Sequence, residues 1–122
     1  MTEIQKPQKS KQYDLEERTL RFSKKVRDFI KKLPKTIINT EDGRQLIRSS
    51  GSIGANYIEA NESLSKKDFL MRIKISRKEA KESQYWLNLI EVDKTLESER
   101  AELLQEVIEL RKIFSAILEN SK

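Results

Sequence analysis

Gly51 and Gly54 stand three apart in the stretch SSGSIGANYIEANES, and they carry most of the glycine of a chain that contains three. A GxxG pair can clamp a nucleotide backbone when it forms a loop between elements, but here it lies inside a continuous helical period. A phosphate-binding P-loop would need Gly-Lys-Ser/Thr to follow, and that sequence is absent. Glu79 and Glu82, three apart, could join Glu59 or Glu62 in a carboxylate di-metal bundle. The Glu-x-x-His half of such a site cannot form in a chain without histidine. Carboxylates alone could still take magnesium or manganese, whereas the plainer reading pairs Glu79 and Glu82 with Arg77, Lys78 and Lys81 on a solvated face. Ser76 and Ser83 fall on an apolar seam with no base in sequence reach. There is no cysteine either, so disulfides and zinc-thiolate chemistry are excluded, and the commonest general base is missing. The expectation is a protein that is not an enzyme and needs no cofactor or metal.

The elements that must position these residues are helices. Charged residues make up 37% of 122 and hydrophobic ones 36%, while Gly and Pro together number five. That mixture favours helices with solvated outer faces over a turn-rich β fold. The length suits one domain that buries roughly two thirds of its unfolded surface. No run approaches the ~20 apolar residues of a membrane span, and MTEIQKPQKSKQ lacks the apolar segment of a signal peptide. A cytoplasmic location without membrane contact is expected.

Four periodic segments follow a polar stretch, residues 1–12, that reads as a disordered basic tail. The first places Asp14 as N-cap, with Leu15, Phe22, Val26, Phe29, Ile30 and Leu33 at helical spacing until Pro34. The second opens at Thr40 as N-cap and puts Leu46, Ile47, Ser50, Ile53, Gly54, Tyr57, Ile58 and Asn61 on one face. Ser50 and Gly54, one turn apart on that face, make a notch into which a neighbouring helix can sink larger side chains. The third is capped by Ser65 with Asp68 behind it, and Phe69, Ile73, Ser76, Ala80, Ser83, Leu87 and Ile90 form a heptad-like seam. The fourth, after Ser98, has Leu103, Val107, Leu110, Phe114 and Ile117 on its seam, with Leu104, Ile108 and Leu118 beside it. Short connections between such segments predict an all-α fold over residues 13–120: an antiparallel, up-down-up-down four-helix bundle.

Two surfaces are left over. Met71, Ile75, Trp86 and Leu89 gather on a second apolar stripe of the third helix, which suggests a subunit interface, and a broad core face is the alternative. Charge is also uneven. Residues 1–35 carry net +6 and 66–94 net +3, whereas 36–65 and 95–122 are each net −2, within a chain of net +5. The cations form stripes: Arg18, Arg21, Lys25 and Lys32 on the first helix, and Lys67, Lys74, Lys78 and Lys81 on the third, with Tyr85 along the latter. Such stripes are either solvated faces or phosphate-binding surfaces, and oligomerisation would multiply the second use.

The segments RTLRFSKKVRDFIKKLPK and GRQLIRSSGSIGANYIEANESLSKKDFLMRIKISRKEAKESQYWLNLI resemble the bacterial four-helix-bundle family named after proteins encoded in intervening sequences of 23S rRNA genes. The likeness runs from about Tyr13 to Ile117, with SIGANYIEA and KEAKESQYWL as its specific signatures. It implies an antiparallel bundle assembled as a ring-like homopentamer. It also implies kinship with the basic pentameric accessory proteins of diversity-generating retroelements, which assist a reverse transcriptase and its RNA. No enzymatic activity is implied, and the family name records gene location rather than RNA binding. Carried over are Ser50, Gly54, Asn56 and Glu59 from the first signature, and Glu79, Glu82, Tyr85 and Trp86 from the second, all in structural roles. The resulting expectation is a non-enzymatic oligomeric helical scaffold that binds RNA or DNA, with low specificity, through the first and third helices. The alternative is a protein-interaction module, such as a reverse-transcriptase accessory, whose basic face meets an acidic partner.

Overall fold

A computed structural model describes residues 6–121, with side chains from residue 15 onward. Four long helices make up nearly all of it: α1 (Lys6–Lys31), α2 (Ile37–Asn61), α3 (Lys66–Leu89) and α4 (Glu97–Asn120), the last preceded by a 3₁₀ turn at Lys94–Leu96. Among the described residues there is no strand, and no helix is long and apolar enough to cross a membrane. Helix α2 packs against α1 and α3, and α4 against α1 and α3, so α1 and α3 stand diagonally.

Two helix starts differ from the sequence expectation. α1 begins at Lys6, within the segment expected as a tail, and runs through Asp14, which is therefore not its N-cap. Pro7 is accommodated in the first turn, where its missing N–H would have no intrahelical partner. Of the expected tail, residues 1–5 lie outside the described residues. α2 is capped by Thr36 instead of Thr40: Thr36 is extended, and its side chain accepts from the Asn39 amide at 3.1 Å. The first turn escaped the periodicity because Ile37 and Ile38 are exposed, so no apolar spacing marks it. Ser65 caps α3 as expected, accepting from the Asp68 amide at 3.1 Å.

The core follows the seams. Phe22, Val26 and Phe29 of α1, Leu46, Ile53 and Tyr57 of α2, Ile73, Ala80 and Leu87 of α3, and Leu103, Val107 and Phe114 of α4 are buried together. On α2 the inward face is rotated from the one expected. Ser49 and Ala60 are buried, whereas Ile47 and Ile58 are exposed on the flank beside α1. The cause is that α2 has two neighbours, so its contact face spans both the α1 side, at Ser50 and Gly54, and the α3 side, at Ser49.

Small residues set the spacing of these seams. A Cβ on Gly54 would stand 2.8 Å from Thr19 Oγ1 and 3.2 Å from Thr19 Cβ, so the notch is filled by α1. Ser23 donates to the Ser50 carbonyl at 3.0 Å across the same seam. Towards α3, the Ser49 and Ser83 hydroxyls meet at 2.8 Å, and Ser76 donates to the Ile53 carbonyl at 2.9 Å. Buried hydroxyls satisfied in this way permit close helix approach at little desolvation cost. Gly51, by contrast, faces open space: nothing lies within 4 Å of a Cβ built there.

Asn39 closes one end of the molecule. Its amide donates to the Pro34 and Glu91 carbonyls at 3.2 and 3.0 Å, and its carbonyl accepts from the Glu91 amide at 3.1 Å. Buried and threefold bonded, it ties the α1–α2 connection to the end of α3. Arg100 caps α3 from α4 by donating to the Ile90 carbonyl at 2.7 Å.

Candidate nucleic-acid interface

The two basic stripes have different surroundings. On α1, Arg18 is claimed by α4: its guanidinium donates to Glu106 at 2.7 and 3.0 Å and to Glu109 at 2.7 Å. These carboxylates, Glu106 above all, hold the Arg18 pKa above its ordinary value against a smaller opposing effect of burial. Glu109 is held below the usual carboxylate range, first by its bond from Gln105 and then by Arg18. Lys32 pairs with Glu99 at 3.0 Å. Arg21 stands 3.9 Å from Glu17, and Lys25 lies beside it on a groove of about 760 Å³ between α1 and α4, lined also by Glu99, Glu102 and Glu106. This face is a mosaic of both signs, because the acidic helix lies alongside the basic one.

The α3 stripe is different. Lys67, Lys74, Lys78 and Lys81 are all exposed, and among the described residues none makes an ion pair. Tyr85 continues the stripe, 58% exposed, with its ring edge-on to Trp86 at 5.0 Å. The spacing of seven, four, three and four keeps these five on one side of the helix. Arg77 bonds Ser115, and Gln84 accepts from Arg111, so the flank next to Lys74 and Lys81 faces α4. Within one chain the α1 and α3 stripes are not brought together, since those helices are diagonal.

On the opposite flank of α3, towards α2, lie Met71, Ile75, Trp86 and Leu89. Met71 and Leu89 are exposed, Ile75 is half-buried, and Trp86 packs its ring against the core. Glu79 and Glu82 belong to this flank as well, and their partner is not Arg77, Lys78 or Lys81 but Arg48 of α2. Arg48 donates to Glu82 at 3.0 Å and approaches Glu79 at 4.0 Å. The cross-helix cation lies over the seam that Ser49 and Ser83 draw close. Glu79 is 7% exposed, and its Oε1 has no hydrogen bond among the described residues, nor has the buried Trp86 Nε1. Asn56 accepts from Arg72 at 3.0 Å, which gives this residue of the first signature its structural task, and Glu59 is exposed. No group of three or more potential ligands able to hold a metal occurs among the described residues.

Sequence reasoning missed Arg48, Thr19, Ser49 and Asn39. Asn39 carried a signal, for it lies seven residues before Leu46 on the series continued by Ile53 and Ala60. The others are recognisable only from across a seam.

Residues 11–116 match the family described as 23S rRNA-intervening sequence protein. The chain belongs to that family. A solved relative in fold is the crystal structure of a protein with unknown function from the S23 ribosomal protein family of Bacteroides thetaiotaomicron VPI-5482. It is 24% identical, with a TM-score of 0.71, over 85% of this chain and 97% of that one. Among curated proteins none matches. The intervening-sequence family thus covers both basic stripes and both signatures, and its fold extends over almost the whole of its structural relative.

Proposed function

We propose that the chain forms an antiparallel, up-down-up-down bundle that assembles with copies of itself, as a pentamer on the family resemblance. The assembly binds RNA or single-stranded nucleic acid through α3 with little sequence preference. The observation that carries this reading is the stripe Lys67, Lys74, Lys78 and Lys81, exposed and without ion pairs, with Tyr85 positioned to stack on a base. Phosphate contacts from such lysines give affinity without base readout, and a ring would present several stripes to one strand. Arg21 and Lys25 extend the surface only weakly, because carboxylates of α4 share their groove. The role is that of a non-enzymatic scaffold.

A second reading is favoured by Arg18, whose bonds to Glu106 and Glu109 show that cations on these stripes suit carboxylates. On it, the basic face meets an acidic protein, for example as an accessory subunit of a reverse transcriptase. Fluorescence anisotropy with a labelled single-stranded RNA, titrated at several salt concentrations and competed with heparin, separates the two. The nucleic-acid reading requires binding at ~50 mM salt that weakens steeply as salt rises, with RNA retained better than heparin of equal charge. Absence of binding at that salt leaves the protein-partner reading.

A further inference from the structure

The carboxylates of the bundle are unevenly shared among its seams. On α4, Glu99, Glu102, Glu106 and Glu109 recur every three or four residues, and this row turns towards α1, where Lys32 takes Glu99 and Arg18 takes Glu106 and Glu109. On α3, Glu79 and Glu82 turn towards α2 and Arg48. The outer trough between α3 and α4 receives neither row. Between Glu97 and Glu119, the residues of α4 on that side are Leu104, Ile108, Arg111 and Ser115, at spacings of four, three and four. Although residues 95–122 are net acidic, this face of α4 is apolar and basic.

Two half-buried arginines span the trough. Arg77 of α3 donates to Ser115 at 3.4 Å, and Arg111 of α4 donates to Gln84 at 2.6 Å. Both partners are neutral, so they orient the guanidinium groups without compensating their charge. Arginines of the bundle with a carboxylate across or along a seam take it, as Arg18 does with Glu106 and Arg100 with Glu97. Arg77 and Arg111 make no ion pair among the described residues. Lys74 and Lys81 stand on the same side of α3, one turn before and after Arg77, and Lys112 is exposed beside Arg111, again without ion pairs. The trough is therefore cationic on both walls.

We infer that the bound strand lies in the α3–α4 trough, with phosphates on Arg77 and Arg111 as well as on Lys74 and Lys81, so that α4 supplies half of the site. This rests on the nucleic-acid reading above and names the path of the strand. A phosphate gives each guanidinium the charge that its seam withholds, and the planar fork can hold two of its oxygens. Because the acidic row of α4 faces α1, the strand meets little repulsion in the trough.

Salt-dependent binding of labelled single-stranded RNA tests this against a control of equal charge. Arg77→Gln with Arg111→Gln should weaken binding and lower the magnitude of the slope of log K against log salt by about 0.7 for each phosphate no longer neutralised. Lys24→Gln with Arg27→Gln also removes two cations, both exposed and without ion pairs on α1, and should leave the slope near that of the parent. Equal decreases from the two pairs, or none from the arginine pair, overturn the inference. If the lysine variant of α3 still weakens binding in that case, the nucleic-acid reading stands alone; a parent that fails to bind at ~50 mM salt removes both. A polyglutamate peptide that displaces the RNA as well as unlabelled RNA of equal charge also overturns it, in favour of an acidic protein partner. Should the arginine pair lose helical circular dichroism, the exposed Lys112→Glu decides. It should weaken binding more than Lys24→Glu, and equal effects overturn the inference.

Discussion

Helix α2 meets both its neighbours through small residues, whereas α1 meets α4 largely through long charged ones. At the first kind of seam Gly54 receives Thr19 and the Ser49 and Ser83 hydroxyls touch, so backbones are close and every added atom must displace another. At the second, Arg18 and Lys32 reach Glu106, Glu109 and Glu99 over a groove, and side chains there can swing into water. The contrast separates what the fold depends on from what its surface can spare. Tight seams fix the helix arrangement, while the charged seam neutralises half of one basic stripe and leaves the α3 stripe as the free one.

The largest effect should follow from filling the notch. Gly54→Leu should destabilise the bundle by several kcal/mol, because even a Cβ meets Thr19 at 2.8 Å and a full side chain must push α1 outward. A melting temperature within a degree or two of the parent would break the distinction between tight and open seams. Gly51→Ala sharpens it with the opposite sign. That position faces open space, so the gain of helix propensity, roughly 0.5–1 kcal/mol, should appear as a higher melting temperature.

At the charged seam Arg18→Met should cost less than about 1 kcal/mol in urea unfolding, since the pair is partly solvated and the apolar stem is kept. A loss of several kcal/mol would make that seam as critical as the tight ones. The smallest effect concerns Tyr57, whose phenol burial lifts above its ordinary pKa, against a lowering by the Asn61 side chain. A raised folded-state value means that the contribution is fully present below about pH 10, the unfolded value, and is lost as pH rises through the folded one. Tyr57→Phe should therefore flatten the alkaline decline of the melting temperature, and an unchanged decline would show that Tyr57 is not its source.

Much of this organisation was legible in the sequence, for identifiable reasons. The α3 seam from Ile73 to Ile90 and the α4 seam from Leu103 to Phe114 repeat at helical spacing, and Ser65 announces its helix by an extended residue that can accept from Asp68. The notch at Gly54 was legible as small residues on an inner face. Which neighbour fills it was not, because Thr19 is distant in sequence and looks like any helical threonine. The start of α2 was hidden by Ile37 and Ile38, which are apolar yet exposed. Arg18 and Glu79 show the same limit for the candidate site. Spacing along one helix offers i,i+3 and i,i+4 partners, whereas their cations and carboxylates come from across a seam, on α4 and α2. The α3 stripe was legible because its lysines have no such partner.

That difference between stripes can be measured directly through the slope of log K against log salt for RNA binding. Replacing Lys67, Lys74, Lys78 and Lys81 together with glutamine should weaken binding and lower the magnitude of the slope by about 0.7 to 0.9 for each phosphate no longer neutralised. The matching change of Arg18, Arg21, Lys25 and Lys32 should lower it by less, since Arg18 and Lys32 are already held by α4. Equal slopes for the α3 variant and the parent, or a larger decrease from the α1 variant, would contradict the assignment of nucleic-acid binding to α3.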